Sequence, residues 1–187
     1  MDNRLKKYLI DNFSIKNIQD HLFIKNNVVL DKFDNKTIAY IIIPSTFGTF
    51  KHLNLILAYE IVDNKTYFQS TEIGHIDYCI SKNNNKSFFD KHDYKTHLLK
   101  IFVDKNYRHI GVGSKLLKVL QKRIKSVCIG KTLIYGEYSP ENDSKEFAQN
   151  FYQKNGFKIK KYGENRLNLY KKINSKKVIK DNIEINY

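Results

Sequence analysis

Arg108, Gly111 and Gly113 stand in an R-x-x-G-x-G pattern within the segment from Val103 to Ser114. Two glycines at this spacing let the main chain approach a ligand closely. A helix starting just after them would aim its unpaired amides, and the positive end of its dipole, at the same place. The chemistry that suits such a turn is the binding of a diphosphate. No Gly-Lys-Ser or Gly-Lys-Thr of a Walker loop follows, and the first glycine of a dinucleotide fingerprint is missing, so ATP and NAD are disfavoured.

A turn of this kind works only between a strand and a helix, and the flanking sequence predicts both. Leu98 to Val103 is a strongly apolar strand, and Gly111 to Val127 carries Leu116, Leu117, Leu120, Ile124 and Val127 at helical spacing. Thr132 to Tyr138 reads as a further strand. Pro140 and then Asp143 or Ser144 open a helix that runs to about Asn155 and is stopped by Gly156. Phe157 to Tyr162 and Arg166 to Ile173 read as a final strand pair around Gly163-Glu164-Asn165.

The first half is strand-rich. Leu22 to Ile43 reads as two strands about the polar turn Asp34-Asn35-Lys36, closed by Pro44. Leu53 to Val62 and Tyr67 to Ile80 continue an antiparallel meander, and helical content around Ile15 to His21 is only faintly signalled. Ser81 to Tyr94, with its Asn83-Asn84-Asn85 tract, reads as an exposed loop, either surface filler or a lid. The fold class expected is α+β: one domain over residues 1–187 with a mixed, largely antiparallel central sheet, flanking helices, and a lysine-rich tail from Asn174 to Tyr187 that is partly loose.

Further along, Ala148, Tyr152, Gly156 and Phe157 form an A-x-x-x-Y-x-x-x-G-F pattern, about forty residues beyond the glycine turn and separated from it by a strand. Together with Leu99, Ile101 and Val103 before the turn, the two motifs resemble the acetyl-coenzyme A signature of the GNAT superfamily of N-acetyltransferases. The resemblance covers the second half well, with 98–157 as the cofactor-binding core. It is loose in the first half, where the family usually opens with a strand and two helices.

The resemblance implies acetyl transfer from acetyl-CoA to a primary amine of a small molecule or a protein. It implies that the turn Arg108, His109, Ile110, Gly111, Val112, Gly113 and Ser114 grips the coenzyme diphosphate. A splayed strand pair would bind the pantetheine arm and the thioester oxygen through Ile101, Phe102 and Val103. Tyr152 matches the family's general acid near the sulfur, and a phenol with a reference pKa of about 10 is protonated at neutral pH. His97 occupies the position where some members carry a basic glutamate, and an imidazole suits that task. Glu72, His75, Asp77 and Glu137 are rival bases acting through water.

Composition adds limits. The 187 residues are 41% hydrophobic and 28% charged, as in a globular domain. No apolar run reaches membrane-span length, the polar start does not read as a signal peptide, and the expected compartment is cytoplasmic. Two cysteines, Cys79 and Cys128, are too few for a disulfide framework or zinc site and read as small buried hydrophobes, and no metal is implied. The net charge of +14 attracts phosphate-rich partners, coenzyme A among them. It is carried mainly by lysine without an arginine-rich stripe, which supports nucleic-acid binding only weakly. The competing reading is a noncatalytic module that binds coenzyme A or accompanies nucleic acid.

Overall fold

In a computed structural model, residues 3–12, 28–33, 36–44, 53–84, 90–138, 145–162 and 166–175 are described. Helix α1 (Asn3–Asn12) is followed by strands β1 (Val28–Phe33), β2 (Lys36–Pro44), β3 (Leu53–Asp63), β4 (Phe68–Lys82) and β5 (Tyr94–Val103). After a short 3-10 turn, Lys105–Tyr107, come α2 (Val112–Val127), β6 (Gly130–Tyr138), α3 (Lys145–Lys154), β7 (Lys158–Tyr162) and β8 (Arg166–Ser175). The described strands form a mixed sheet of eight, mainly antiparallel, with flanking helices. The expected α+β class is the observed one.

The chain divides into two compact units, Met1–Cys79 with Leu98–Leu120, and Ile80–His97 with Gln121–Tyr187. In the first unit β1, β2, β3 and β4 form the antiparallel meander. Alternation along β2 buries residues on both faces of the sheet. Ala39 and Ile41 join Val28, Ile61 and Leu9 of α1 in one cluster, with Leu5 and Tyr8 packed at its margin. Leu5, Tyr8 and Leu9 recur at helical spacing, which is why this short lysine-bearing segment coils. Its start is tied down by Arg4, whose Nη2 donates to the Lys65 carbonyl at 2.6 Å and whose guanidinium lies over Phe68.

The β3–β4 register breaks at one place. Ala58 pairs with Gly74 but Tyr59 pairs with Glu72, which leaves Ile73 as a bulge on β4. A bulge bends and twists its strand. Here it brings Gly74 so close to β5 that an added Cβ would stand 2.7 Å from the Phe102 carbonyl oxygen and 3.5 Å from Leu116 of α2. Immediately beyond, Asp104 donates its N–H to the carbonyl of Ile73 at 2.9 Å. The bulge thus sets where β5 ends and the glycine turn begins.

In the second unit β6 pairs antiparallel with β8, and β7 with β8. The β5–β6 ladder is parallel and runs only from Tyr94↔Thr132 to His97↔Tyr135. Leu98–Val103 continue β5 in the first unit. β5 therefore starts four residues earlier than its apolar run, because Thr96, polar but fully buried, sits inside it. Of the loop expected over 81–94, Ser81 and Lys82 belong to β4, Tyr94 belongs to β5, and residues 85–89 lie outside the described residues. So do the helical signal at 15–21 and, of the tail, residues 176–187, while Asn174 and Ser175 end β8. Cys128 is buried as expected, whereas Cys79, facing Leu53 across β3 and β4, is partly exposed. No helix among the described residues is long and apolar enough to cross a membrane.

Replacing Gly74 by alanine should destabilise the protein by about 1–3 kcal/mol, since backbone rather than a flexible side chain must yield. A shift of the denaturant midpoint at constant slope measures this, and an unchanged midpoint would mean that β5 moves aside freely.

Candidate functional site

The glycine turn is built from both of its ends. Asp104 opens it: its carboxylate accepts from the N–H of Asn106 at 2.9 Å, and its carbonyl accepts from Tyr107. Arg108 folds back, with Nε donating to the Val103 carbonyl at 3.1 Å, so the strand end and the turn are stitched together. His109 then takes a left-handed conformation at φ 68°, and Gly111 follows at φ 99°. For histidine this region is allowed but unfavourable. At Gly111 the absence of a side chain removes the cost.

Gly111 is the N-cap of α2, because its carbonyl accepts the first intrahelical bond, from Lys115 N at 2.9 Å. The amides of Gly111, Val112 and Gly113 therefore precede the helical ladder, at the start of a helix of 16 residues. Val112 is fully buried and anchors that start, while Ile110 is exposed, Gly111 lies open to solvent, and Gly113 and Ser114 are partly exposed. A short anion matches these donors and the dipole behind them. On the strand before the turn, Phe102 is exposed and Ile101 and Val103 are half-buried.

Phe102 leans on His75 of β4, ring centroids 5.3 Å apart. The Nδ1–H of His75 donates to Oε1 of Glu72 at 2.8 Å, the carboxylate being acceptor only. In the neutral imidazole this bond selects the tautomer whose Nε2 carries no hydrogen. Asp77, two residues along β4, is half-buried.

Tyr152 and His97 belong to the second unit. Tyr152 lies at the C-terminal end of α3 in a Schellman cap: Phe157 N–H donates to the Tyr152 carbonyl at 3.0 Å, and Gly156 N–H to that of Gln153 at 2.8 Å. Gly156 supplies the left-handed residue, φ 78°, that the cap requires. The hydrophobic contact that accompanies such caps is Tyr152 against Phe157, 5.6 Å between centroids. The Y-x-x-x-G-F spacing is thus, physically, a helix end. Lys171 closes it by donating to the Asn155 carbonyl at 2.6 Å and lying over Phe157.

Only 3% of Tyr152 is exposed, with Tyr138, Phe151 and Phe157 edge-on around it. Burial pushes its phenol well above the ordinary tyrosine range, and the neighbouring Tyr138 adds to the shift. His97 lies flat on its ladder partner Tyr135, 4.7 Å between centroids and 4° between planes. Tyr135 and Tyr138 are three positions apart on β6 and so face opposite sides of the sheet. Tyr152 and His97 accordingly stand over opposite faces, and Glu137 shares the exposed side of β6 with Tyr135.

Among the described residues no group of histidine, cysteine and acidic side chains is arranged to hold a metal. Residues that the sequence did not single out are Tyr107, Glu60 and Lys36. Tyr107 donates its O–H to Glu60 Oε2, and Lys36 Nζ stands 3.0 Å from Glu60 Oε1. Because 47 residues separate Tyr107 from Glu60, no local pattern could have announced the contact.

The profile of a family described as acetyltransferase (GNAT) domain matches residues 62–159, more than half of the chain. The chain belongs to the GNAT acetyltransferase family. Among solved structures, the GNAT domain of S. lividans PAT superposes with a TM-score of 0.54 at 12% identity, covering 78% of this chain and 97% of that one. PaiA N-acetyltransferase of Thermoplasma acidophilum, solved in complex with coenzyme A, is 24% identical with a TM-score of 0.46. That match covers 65% of this chain and 62%, less than two thirds, of that one. Arabidopsis thaliana Naa50, solved with the bisubstrate analogue CoA-Ac-MVNAL, is 20% identical with a TM-score of 0.44, covering 64% and 71%. No curated protein matches the sequence. The glycine turn of this chain lies between β5 and α2.

Because the Tyr152 phenol titrates higher in the folded than in the unfolded chain, its contribution is fully present below about pH 10 and is lost as pH rises through the folded value. Stability measured between pH 9 and 11 should fall by up to about 1.4 kcal/mol per pH unit for this group, on top of the like effect of buried Tyr40. Tyr152→Phe should fall less steeply, and identical slopes would mean that the phenol reaches solvent.

Proposed function

We propose that the protein is an N-acetyltransferase that moves an acetyl group from acetyl-CoA to a primary amine of a small molecule or a protein, by direct attack in a ternary complex. The observation that carries this reading is the start of α2, where the amides of Gly111, Val112 and Gly113 precede the helical ladder beside Arg108, in a chain of the GNAT family. In this reading residues Arg108–Ser114 hold the diphosphate, and Ile101, Phe102 and Val103 line the pantetheine arm.

The amine arrives protonated and must lose that proton before its nitrogen can attack the thioester carbon. As the C–S bond breaks, the sulfur is proposed to take a proton from the Tyr152 hydroxyl, which burial keeps protonated, and the second proton shed by the acylated nitrogen restores that hydroxyl. Of the two candidate imidazoles, the geometry favours His75 as the base. Its Nδ1 is engaged by Glu72 and its ring touches Phe102 on the strand assigned to the cofactor, whereas His97 is matched by sequence position and lies against Tyr135.

Thiol release from acetyl-CoA across a panel of amines tests the activity. Turnover with at least one amine is expected, and binding of coenzyme A without release under any amine would make the chain a noncatalytic carrier-binding module. On an active acceptor, His75→Ala should lower kcat/KM by about 10²–10⁴, and His97→Ala should stay within a few-fold. The reverse result moves the base to His97. Tyr152→Phe should cost about 10²-fold or more in kcat, and unchanged turnover would remove its role as acid.

A further inference from the structure

The glycine turn is clasped at both flanks by carboxylates that sit in one row of the sheet. Asp31 of β1 pairs with Ile38 of β2, and Ile38 pairs with Glu60 of β3, so the two acids flank a fully buried isoleucine on one face. Neighbouring strands are about 4.8 Å apart, which sets the acids roughly 10 Å from each other. Glu60 receives the Tyr107 hydroxyl, just before Arg108, and Asp31 pairs with Lys115 Nζ, just after Ser114. Lys36 completes the first tie: its ammonium is 3.0 Å from Glu60 and lies 4.7 Å from the centroid of the Tyr107 ring. Both acids and Lys115 are mostly shielded from solvent, with exposures of 29% for Asp31, 15% for Glu60 and 27% for Lys115, while Lys36 is half exposed.

Charge-assisted hydrogen bonds of this kind are stronger and more directional than neutral ones. Glu60 titrates below the ordinary carboxylate range, chiefly because Tyr107 donates to it, so the tie is intact across the neutral range.

We propose that Tyr107, Glu60 and Lys36 on one side, and Asp31 and Lys115 on the other, are positioning residues that preset the turn for the diphosphate of the acyl carrier. This rests on the reading of the turn as the diphosphate grip. The ties fix a conformation that includes a left-handed histidine, and pre-organisation of that sort is expressed as affinity. Their influence is confined to the part of the carrier that the turn would touch.

The test compares acetyl-CoA with acetyl-pantetheine, which carries the same thioester and no diphosphate. Tyr107→Phe, Glu60→Gln and Asp31→Asn should each raise the Kd for coenzyme A and the KM for acetyl-CoA by about tenfold, with kcat at saturation and the rate with acetyl-pantetheine unchanged. Tyr107→Phe combined with Glu60→Gln should cost less than the two single effects multiplied, because both act on the Tyr107–Glu60 bond, whereas Glu60→Gln combined with Asp31→Asn should multiply. Folding of each variant is checked by circular dichroism. Should Asp31→Asn fail to fold, the Tyr107→Phe and Glu60→Gln pair still decides the matter, and Lys36→Met, half exposed, provides a further variant expected to weaken coenzyme A in the same sense. Variants that bind coenzyme A as the parent does, or that lose both substrates equally, overturn the proposal. A parent protein that uses acetyl-pantetheine as well as acetyl-CoA would instead overturn the diphosphate reading on which it rests.

Discussion

Main-chain donors at the start of α2 are the constraint around which the first unit is arranged. A helix leaves its first amides without intrahelical partners, and those of Gly111, Val112 and Gly113 sit beyond the end of β5 where no strand continues. Their direction depends on where β5 stops. That in turn depends on the bulge at Ile73, on the close approach of Gly74 to the Phe102 carbonyl, and on the bond from Asp104 to Ile73. Arg108 turned back onto Val103 and the two carboxylate ties then leave the intervening residues little freedom. Sheet, bulge and ties all converge on a few N–H groups.

The other motif has a different physical basis. Tyr152, Gly156 and Phe157 meet because a helix that ends in a Schellman cap brings its C3 and C″ positions together. Gly156 is there for its backbone angle and Phe157 for its contact with Tyr152. A tyrosine at C3 is held by the cap and by Tyr138 and Phe151, which gives it the rigid, water-poor setting that keeps a phenol protonated. The packing around Tyr152 is that of a core aromatic whose phenol stays protonated across the neutral range.

What could be read from the sequence was what is local. Arg108 to Ser114, the apolar spacing of α2 and the Gly156 stop each lie within a few turns of chain, and periodicity locates them. Two features escaped. Helix α1 rests on Leu5, Tyr8 and Leu9 alone in a lysine-bearing segment, and its identity comes from docking on Val28, Ala39, Ile41 and Ile61. The early start of β5 escaped because Lys95, Thr96 and His97 look polar, although Thr96 is fully buried and all three pair with β6. Contacts such as Glu60 with Tyr107, or Asp31 with Lys115, join residues far apart in sequence and follow only from strand register. The contact of His75 with Phe102 is of the same kind, whereas Glu72 stands only three residues from His75 and both were candidates from the sequence.

Residue-resolved hydrogen exchange of the α2 start, with and without coenzyme A, tests whether these N–H groups hold the diphosphate. The amides of Gly111, Val112 and Gly113 should slow by tenfold or more when coenzyme A is added and be unaffected by acetyl-pantetheine. Coenzyme A that binds with full occupancy while those amides exchange at their original rate would contradict this role.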